Sequence, residues 1–569
     1  MQRSGLSRLL GTYLFSRARL KLWLLFAVVL SAYVVNIKLA ILYNDWNGRF
    51  FDALQKVDQE GIYRELFYFI GLAAAIIILL VWAGYLKDRL ILALRRDVTE
   101  IFFARWLSPG SAHYLLKESG KEPDNPDQRI TEDVRSMTSL AVNLFISLFD
   151  SVLTIGSFSL ILWNLSGSIT LFGITIPGYM FWVCLLYTAV ATFFTHLIGR
   201  KLKGFNMEAQ HMEANLRSAL MEKRRNGAAI AGSHAEGAEE QGLKERFSEL
   251  LKVLIALIKK QRDLDLFTVG IGQFTHLAPI FFSLPSFFAG AIQLGGVMQI
   301  RGAFNDVARS LSWIIFAYDD LAKLSAAYER LRRLETGLAE AEEQAMKLAS
   351  RRRTLEQGAE EVLKADIVLQ IPERGREGEA GEQNEGNREC ARLLPLQLSL
   401  RRGSLVFVTG PSGIGKSTLL KVLAGFSDGY SGEIASSRSL VWIPQKPYLQ
   451  KGTLRAALSY PQQASALSND EAKQLLALAG LERFSSELDR RADWASELSG
   501  GEQQRIVLLR AMRLKPDILL MDEMTSGLDD VTAERMLAVT RKLLPETAIL
   551  LVTHQSALFP KADAIIRLG

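Results

Sequence analysis

Two architectures are predicted in one chain: a polytopic α-helical membrane domain with six spans, fused to an α/β P-loop domain. Three observations predict them. Apolar runs long enough to cross a bilayer recur through the first half of the chain, and the loops between them alternate in basic charge. Further on, Gly410-Pro411-Ser412-Gly413-Ile414-Gly415-Lys416-Ser417-Thr418 fits the phosphate-binding pattern G-x-x-x-x-G-K-[ST]. At 569 residues the length alone would suggest several soluble domains, but 49% apolar content and a positive mean hydropathy point to membrane segments. The 67 basic residues against 61 acidic ones are a mild excess, which positive-inside loops explain without a nucleic-acid partner. Cys184 in an apolar run and Cys390 in a polar stretch support neither a disulfide framework nor a zinc site.

Residues 1–21 form a basic N-terminal segment with Arg3, Arg8, Arg17, Arg19 and Lys21, and no cleavage-site pattern of a signal peptide follows. A membrane domain is expected over 22–330. Its candidate spans are Leu22–Tyr43, Tyr63–Leu86, Leu140–Trp163, Pro177–Ile198 and Leu266–Leu294, with a sixth, more polar one at Ala303–Leu324. Basic residues crowd Lys87–Arg135 and Arg200–Arg262, whereas Asn164–Ile176 carries no charge and Gln293–Ala303 only Arg301. By the positive-inside rule both termini and both long loops are cytoplasmic, which requires an even number of spans. Buried helices of a soluble protein would not produce that alternation. Both basic loops look helical, as in Arg89–Trp106 and Met207–Lys223, and could carry force from a soluble engine to the spans.

A charged, helix-prone linker covers 331–364, and the P-loop domain covers 365–569. Inside it, 373–392 is rich in Glu, Gly, Asn and Arg with almost no apolar residue, so a mobile insertion is expected. No internal repeat of about 20 to 50 residues is visible.

Val406-Phe407-Val408 reads as a buried strand and Leu419–Leu423 as a helix start, so the glycines lie at a strand-to-helix turn. There the backbone N–H groups can curl around a phosphate chain, with the helix dipole behind them. Lys416 can reach the terminal phosphates, and the Ser417 hydroxyl can ligate Mg²⁺. Gln445 closes the apolar strand Leu440-Val441-Trp442-Ile443-Pro444, and Leu498-Ser499-Gly500-Gly501-Glu502-Gln503-Gln504-Arg505 opens another helix N-terminus that a phosphate can approach. Ile518–Met521 is a strand delivering Asp522 and Glu523 to its carboxyl end, where Mg²⁺ coordination and orientation of an attacking water are expected. Ser526-Gly527-Leu528-Asp529 follows, and the strand Leu550-Leu551-Val552-Thr553 delivers His554 to the same edge.

In these residues the chain resembles the ATP-binding cassette (ABC) family: Walker A at Gly410–Ser417, Q-loop Gln445, signature Leu498–Gln503, Walker B ending at Asp522, D-loop Ser526–Asp529 and switch His554. The resemblance implies ATP and Mg²⁺ as cofactors and an ATPase coupled to transport. It implies that Ser417 and Gln445 contact Mg²⁺, Asp522 holds it through water, Glu523 polarises the hydrolytic water and His554 braces the γ-phosphate. Nucleotide contact is further implied for the whole Gly410–Thr418 loop and for Ser499, Gly500, Gly501, Gln503 and Asp529. In the family, Ser499 and Gly501 of one copy would cap the nucleotide on Lys416 of another. One chain holds one of each, so a half-transporter working as a homodimer is expected.

In the membrane half, Trp46, Phe50, Phe51, Ala53, Leu54 and Asp58, with Asn125-Pro126-Asp127-Gln128-Arg129-Ile130-Thr131-Glu132-Asp133, resemble the bacterial BacA/SbmA-related, YddA-like transporters. These share an exporter-type membrane domain with the peroxisomal fatty-acyl transporters. The resemblance implies a multi-pass protein of the bacterial inner membrane, in contact with lipid, whose Asn125–Asp133 and Arg224–Glu236 dock on the cassette. An acidic residue common at the second of these is Ala228 here. It also implies hydrophilic cargo such as peptides or cobalamin-like compounds, with fatty-acyl or lipid movement behind, and no nucleic-acid partner. An ATP-gated channel would share the motifs, and a non-transporting cassette ATPase would not need the spans.

Two features of the residues bear on binding. Family members stack adenine on an aromatic ring before Walker A, and the strand near Ile367–Pro372 has none. ATP is therefore expected to bind no tighter than the micromolar range and to compete with GTP on near-equal terms, as nucleotide competition would measure. Polar groups within or near spans, namely Asp150, Lys38, Asn143, Gln273, His276, Asn305, Asp306 and Arg309, are costly there unless paired or wet, and mark either a water-filled pathway or an internal ion pair.

Overall fold

Long apolar segments with intact i to i−4 bonding satisfy their own backbone, which is why the first half of the chain folds almost entirely as helices. The structure is a computed structural model that describes residues 11, 19–171, 174–356, 358–372 and 391–568. Most of the expected N-terminal segment 1–21, and all but two residues of the expected insertion 373–392, lie outside the described residues. The helices are α1 (Leu20–Gln55), α2 (Gln59–Trp106), α3 (Ala112–Glu118), α4 (Val134–Ser166), α5 (Tyr179–Gly199), α6 (Leu202–Arg225), α7 (Gly227–Ser233), α8 (Glu236–Phe288), α9 (Leu294–Leu311) and α10 (Trp313–Ser350). Between α4 and α5, β1 (Ser168–Leu171) and β2 (Ile174–Pro177) pair as an antiparallel hairpin.

Five of these helical stretches are long and apolar enough to cross a membrane. The sixth expected span, Ala303–Leu324, runs across the end of α9 and the start of α10 with a break at Ser312. Asn305, Asp306 and Arg309 in α9 keep its hydropathy low. With 48 residues, α2 is roughly 72 Å long at ~1.5 Å per residue, more than twice the ~30 Å hydrocarbon thickness. Large apolar side chains such as Phe67, Ile77, Val81 and Leu160 are exposed, as lipid-facing positions are.

The chain divides into two compact units, one holding residues up to Ala104 with Pro123–Thr336, the other Arg105–Glu122 with Gly337–Gly569. In the first, Gly295 N–H donates to Asp52 Oδ1 at 2.7 Å and Leu294 N–H to Gln55 Oε1 at 2.9 Å, so the end of α1 caps the N-terminus of α9. Also in this unit, Asp133 accepts from Arg330 Nε at 2.8 Å, from Arg330 Nη2 at 2.6 Å and from Arg129 Nη1 at 3.2 Å. These bonds fix the Asn125–Asp133 segment to α10.

The second unit carries a sheet that is buried on both faces. The strands of this unit are β3 (Arg352–Thr354), β4 (Glu361–Pro372), β5 (Ala391–Arg401), β6 (Leu405–Thr409), β7 (Tyr430–Ser436), β8 (Leu440–Ile443), β9 (Gly452–Thr453), β10 (Arg491–Ala492), β11 (Ile518–Asp522), β12 (Ala548–Val552) and β13 (Ala564–Arg567). The order β13-β6-β12-β11-β8 is wholly parallel. Alternate residues feed opposite cores: Leu405, Phe407, Leu519 and Met521 face one, and Val406, Val408, Ile518 and Leu520 the other. Continuous apolar strands are the expected consequence of such two-sided burial. A second sheet, β3-β7-β4-β5, closes the latter core. Helices α11 (Lys416–Ala424), α12 (Gly500–Leu514) and α13 (Asp530–Leu543) follow the P-loop, the signature and the D-loop.

Candidate nucleotide site

The P-loop is built by the turn from β6 into α11. Gly410, Gly413 and Gly415 all have positive φ, at 156°, 80° and 103°, which only glycine adopts without strain. At Gly415 a Cβ would also stand 2.5 Å from Ile371 Cδ1. Ile414 is buried and ties the loop to the core beneath, whereas Pro411 and Ser412 are exposed. Lys416 is the first residue of α11 and its Nζ donates to the carbonyls of Gly410 at 2.8 Å and Pro411 at 3.0 Å. Ser417 and Thr418 occupy the first turn of that helix, where N–H groups lack intrahelical partners.

Ser417 hydrogen-bonds the Asp522 carboxyl, which lies at the end of β11 and is 5% exposed. Burial pushes that carboxyl above its ordinary value, while the Ser417 hydroxyl and the Lys416 charge pull it back. A buried carboxylate with a hydroxyl beside it and a P-loop opposite fits Mg²⁺, which binds through one or two carboxylates plus phosphate oxygens. Among the described residues no cluster of three or more His, Cys, Asp or Glu competes as a metal cage.

Glu523 is held by both flanking strands. Gln445 Nε2 donates to Glu523 Oε2 at 2.7 Å, and His554 Nε2 lies 3.5 Å from Glu523 Oε1. Its own N–H donates to Val552 O at 3.0 Å, and its φ is 50°. A non-glycine residue in the left-handed region is strained, and such strain gathers where a side chain must be aimed. Thus the structure brings together Gly410–Thr418, Gln445, Asp522, Glu523 and His554.

The remaining expected residues form a second cluster. Ser499 caps α12 in a capping box: its N–H donates to Glu502 Oε2 at 2.9 Å and its Oγ accepts from Glu502 N–H at 3.4 Å. Gly500 opens the helix, and a Cβ at Gly501 would stand 2.7 Å from Gly527 O, so signature and D-loop touch. Gln503 is turned to the backbone, donating to Ala495 O at 2.7 Å and Leu498 O at 2.9 Å. Asp529 caps α13, accepting from Thr532 N–H at 2.9 Å and Thr532 Oγ1 at 2.7 Å.

One contact went unread in the sequence. Helix α3 lies against the cassette sheet and α11: Lys421 Nζ donates to Glu118 Oε1 at 2.6 Å, and the Tyr114 ring meets Phe426 at 5.3 Å and Trp442 at 6.1 Å. Leu115 and Leu116 are 2% and 1% exposed. The only sequence signal was the short apolar pair Leu115-Leu116 inside a basic loop. Of the two segments expected to dock on the cassette, Asn125–Asp133 and Arg224–Glu236 both belong to the membrane unit.

Comparison with known proteins agrees with this geometry. Residues 9–288 match the family "ABC transporter transmembrane region 2" and residues 393–526 match "ABC transporter". The inner membrane ABC transporter ATP-binding protein YddA of Escherichia coli (strain K12) is 30% identical, over 95% of this chain and 93% of its own. The lysosomal cobalamin transporter ABCD4 of Homo sapiens is 25% identical, over 87% and 83%. The structure of a bacterial Atm1-family ABC exporter with ATP bound superposes with a TM-score of 0.71 at 16% identity, covering 97% of this chain and 94% of that one, and so shares its fold. With a relative that similar along nearly its whole length, the chain belongs to the ABC transporter family, as a multi-pass membrane protein whose ATPase drives transport.

Proposed function

We propose that two copies of this chain pair in the bacterial inner membrane, both termini in the cytoplasm, and move a hydrophilic solute such as a peptide or a cobalamin-like compound by alternating access. Lys416 and the Gly410–Thr418 amides hold the ATP phosphates. Glu523, oriented by Gln445 and His554, accepts hydrogen-bond donation from the attacking water, and His554 braces the γ-phosphate. Ser417, Gln445 and Asp522 would hold Mg²⁺, which when bound neutralises charge on the phosphate oxygens. Ser499, Gly500, Gly501, Gln503 and Asp529 of one copy complete the site on the other. Nucleotide-driven closure then pulls on the long helices, and hydrolysis lets them relax.

The observation that carries the cargo reading is a cavity of about 380 Å³ among the spans, where Asn36, Asp150, Asp306 and Arg309 share the lining with apolar Ile37 and Phe158. Arg309 pairs with Asp306 at 2.9 Å, and Asp150 Oδ1 has no hydrogen-bond partner. Of the two alternatives, a water-filled pathway or an internal ion pair, the commitment of Arg309 to Asp306 favours the wet pathway. The similarity to a human lysosomal cobalamin transporter supports a hydrophilic cargo. A second reading, lipid or fatty-acyl movement, is favoured by a nearly all-apolar cleft of about 520 Å³ lined by Leu94, Val98, Met137, Ala141, Val142 and Leu324.

Proteoliposomes test the proposal. Cargo-stimulated ATP hydrolysis coupled to uphill flux is expected, and flux that only runs downhill would mean a gated channel instead. With Asp150→Asn, flux is expected to fall roughly tenfold or more while the amount of folded protein stays at the wild-type level. Loss of folded protein would instead give Asp150 a structural role.

A further inference from the structure

The junction of α3 with the cassette contains a cleft of about 510 Å³, within the range of small-molecule sites, that the nucleotide chemistry does not use. Its charged lining is of one sign. Arg352, Arg353 and Arg438 line it, and no carboxylate does. Its other side is aromatic: Tyr114, Phe426 and Trp442 line it, with the Phe426 and Trp442 rings 5.5 Å apart. Guanidinium groups beside a cluster of tilted and edge-on rings suit a flat ring system carrying an anion.

Three polar atoms on the lining residues are sealed from water and have no partner: Arg352 Nε, Trp442 Nε1 and His113 Nδ1. Buried donors are nearly always satisfied in native proteins, by protein, water or ligand. Arg352 Nη2 donates to Leu423 O at 2.5 Å and Ser436 Oγ at 3.2 Å, while Nε–H has no partner. Burial holds this guanidinium below its ordinary value, the response of a cation that lacks a counter-charge. An indole N–H and a guanidinium N–H are donors only, so what satisfies them must accept.

We propose that this cleft binds a planar organic anion of mononucleotide size, its anionic group on Arg352 and Arg438 and its ring among Tyr114, Phe426 and Trp442. The ligand would join α3 to Trp442 of β8, three residues before Gln445, and so act on the cassette from outside the P-loop. The probe is AMP, titrated calorimetrically into the full-length Lys416→Ala protein in lipid nanodiscs, so that the P-loop is silenced. Adenosine and inorganic phosphate are the single-feature controls. AMP is expected to bind at least tenfold more tightly than either control, because it alone supplies ring and charge. Trp442→Phe keeps the ring, removes the N–H, and is expected to weaken AMP several-fold. Arg438→Gln alters an exposed side chain on the turn before β8 and is expected to weaken AMP about tenfold without the folding risk of Arg352→Gln. AMP binding no tighter than phosphate, or unchanged in both variants, would overturn the proposal.

Discussion

Replacing Glu523 by Gln is expected to lower ATP turnover by about 100- to 1000-fold while leaving nucleotide binding near the wild-type level. The side chain keeps its volume and its place between Gln445 Nε2 and His554 Nε2. What is lost is the negative charge that would accept from the attacking water. Nothing in the P-loop cradle changes, since Lys416 and Ser417 bond elsewhere. Phosphate release and nucleotide affinity, measured on the same purified protein in lipid, separate the two effects. A variant that hydrolyses within tenfold of wild type would remove Glu523 from the mechanism. In cells the same variant should accumulate no cargo, and equal uptake of hydrophilic peptides by both forms would refute that cargo class.

Trp494→Ala is expected to cost about 3–5 kcal/mol of cassette stability, as removal of a fully buried Trp does. The side chain is 0% exposed and belongs to the core that also holds Leu498. Its Nε1 donates to Gly452 O at 2.9 Å, Phe484 meets the ring edge-on at 6.1 Å, and the Arg490 guanidinium lies 4.4 Å over it. Truncation therefore leaves a cavity and an orphaned carbonyl together. The cassette's thermal transition should drop by roughly 10 °C, and Trp494→Phe, which refills part of the space, by clearly less. Because Trp494 is five residues before Ser499, the truncated protein should also lose ATPase before it unfolds. A transition within about 2 °C of wild type would show that the pocket collapses around the missing ring.

Much of the cassette was legible because its signals are local. The strand before the P-loop, the helix read at Leu419–Leu423 and the strand ending at Asp522 all follow from runs of a few residues; the strands lie where those runs placed them, and the helix begins three residues earlier, at Lys416. Conformation and pairing were not legible in the same way. Nothing in the identity of Glu523 announces a φ of 50°, which depends on the strand and turn that grip it. The sheet β3-β7-β4-β5 joins Arg352 to Ile434 and Ile367 to Gly432, and such register is set by partners far along the chain. In the membrane half, five spans stood out by apolar content, whereas the sixth segment is interrupted at Ser312 and carries the polar groups of α9. Helix α3 escaped notice because seven residues give too short a window for any periodicity to declare itself.

The bond from Lys421 to Glu118 has a mechanical side. Lys416 begins α11 and Lys421 is in its last turn, and nine residues of helix make a strut of roughly 13 Å that is too short to flex. Whatever tilts one end when phosphate arrives must tilt the other by a matching angle. Timing at the nucleotide would thereby be delivered to α3 without slack, and lengthening the strut by one residue would rotate Lys421 about 100° away from its partner and disengage the clutch.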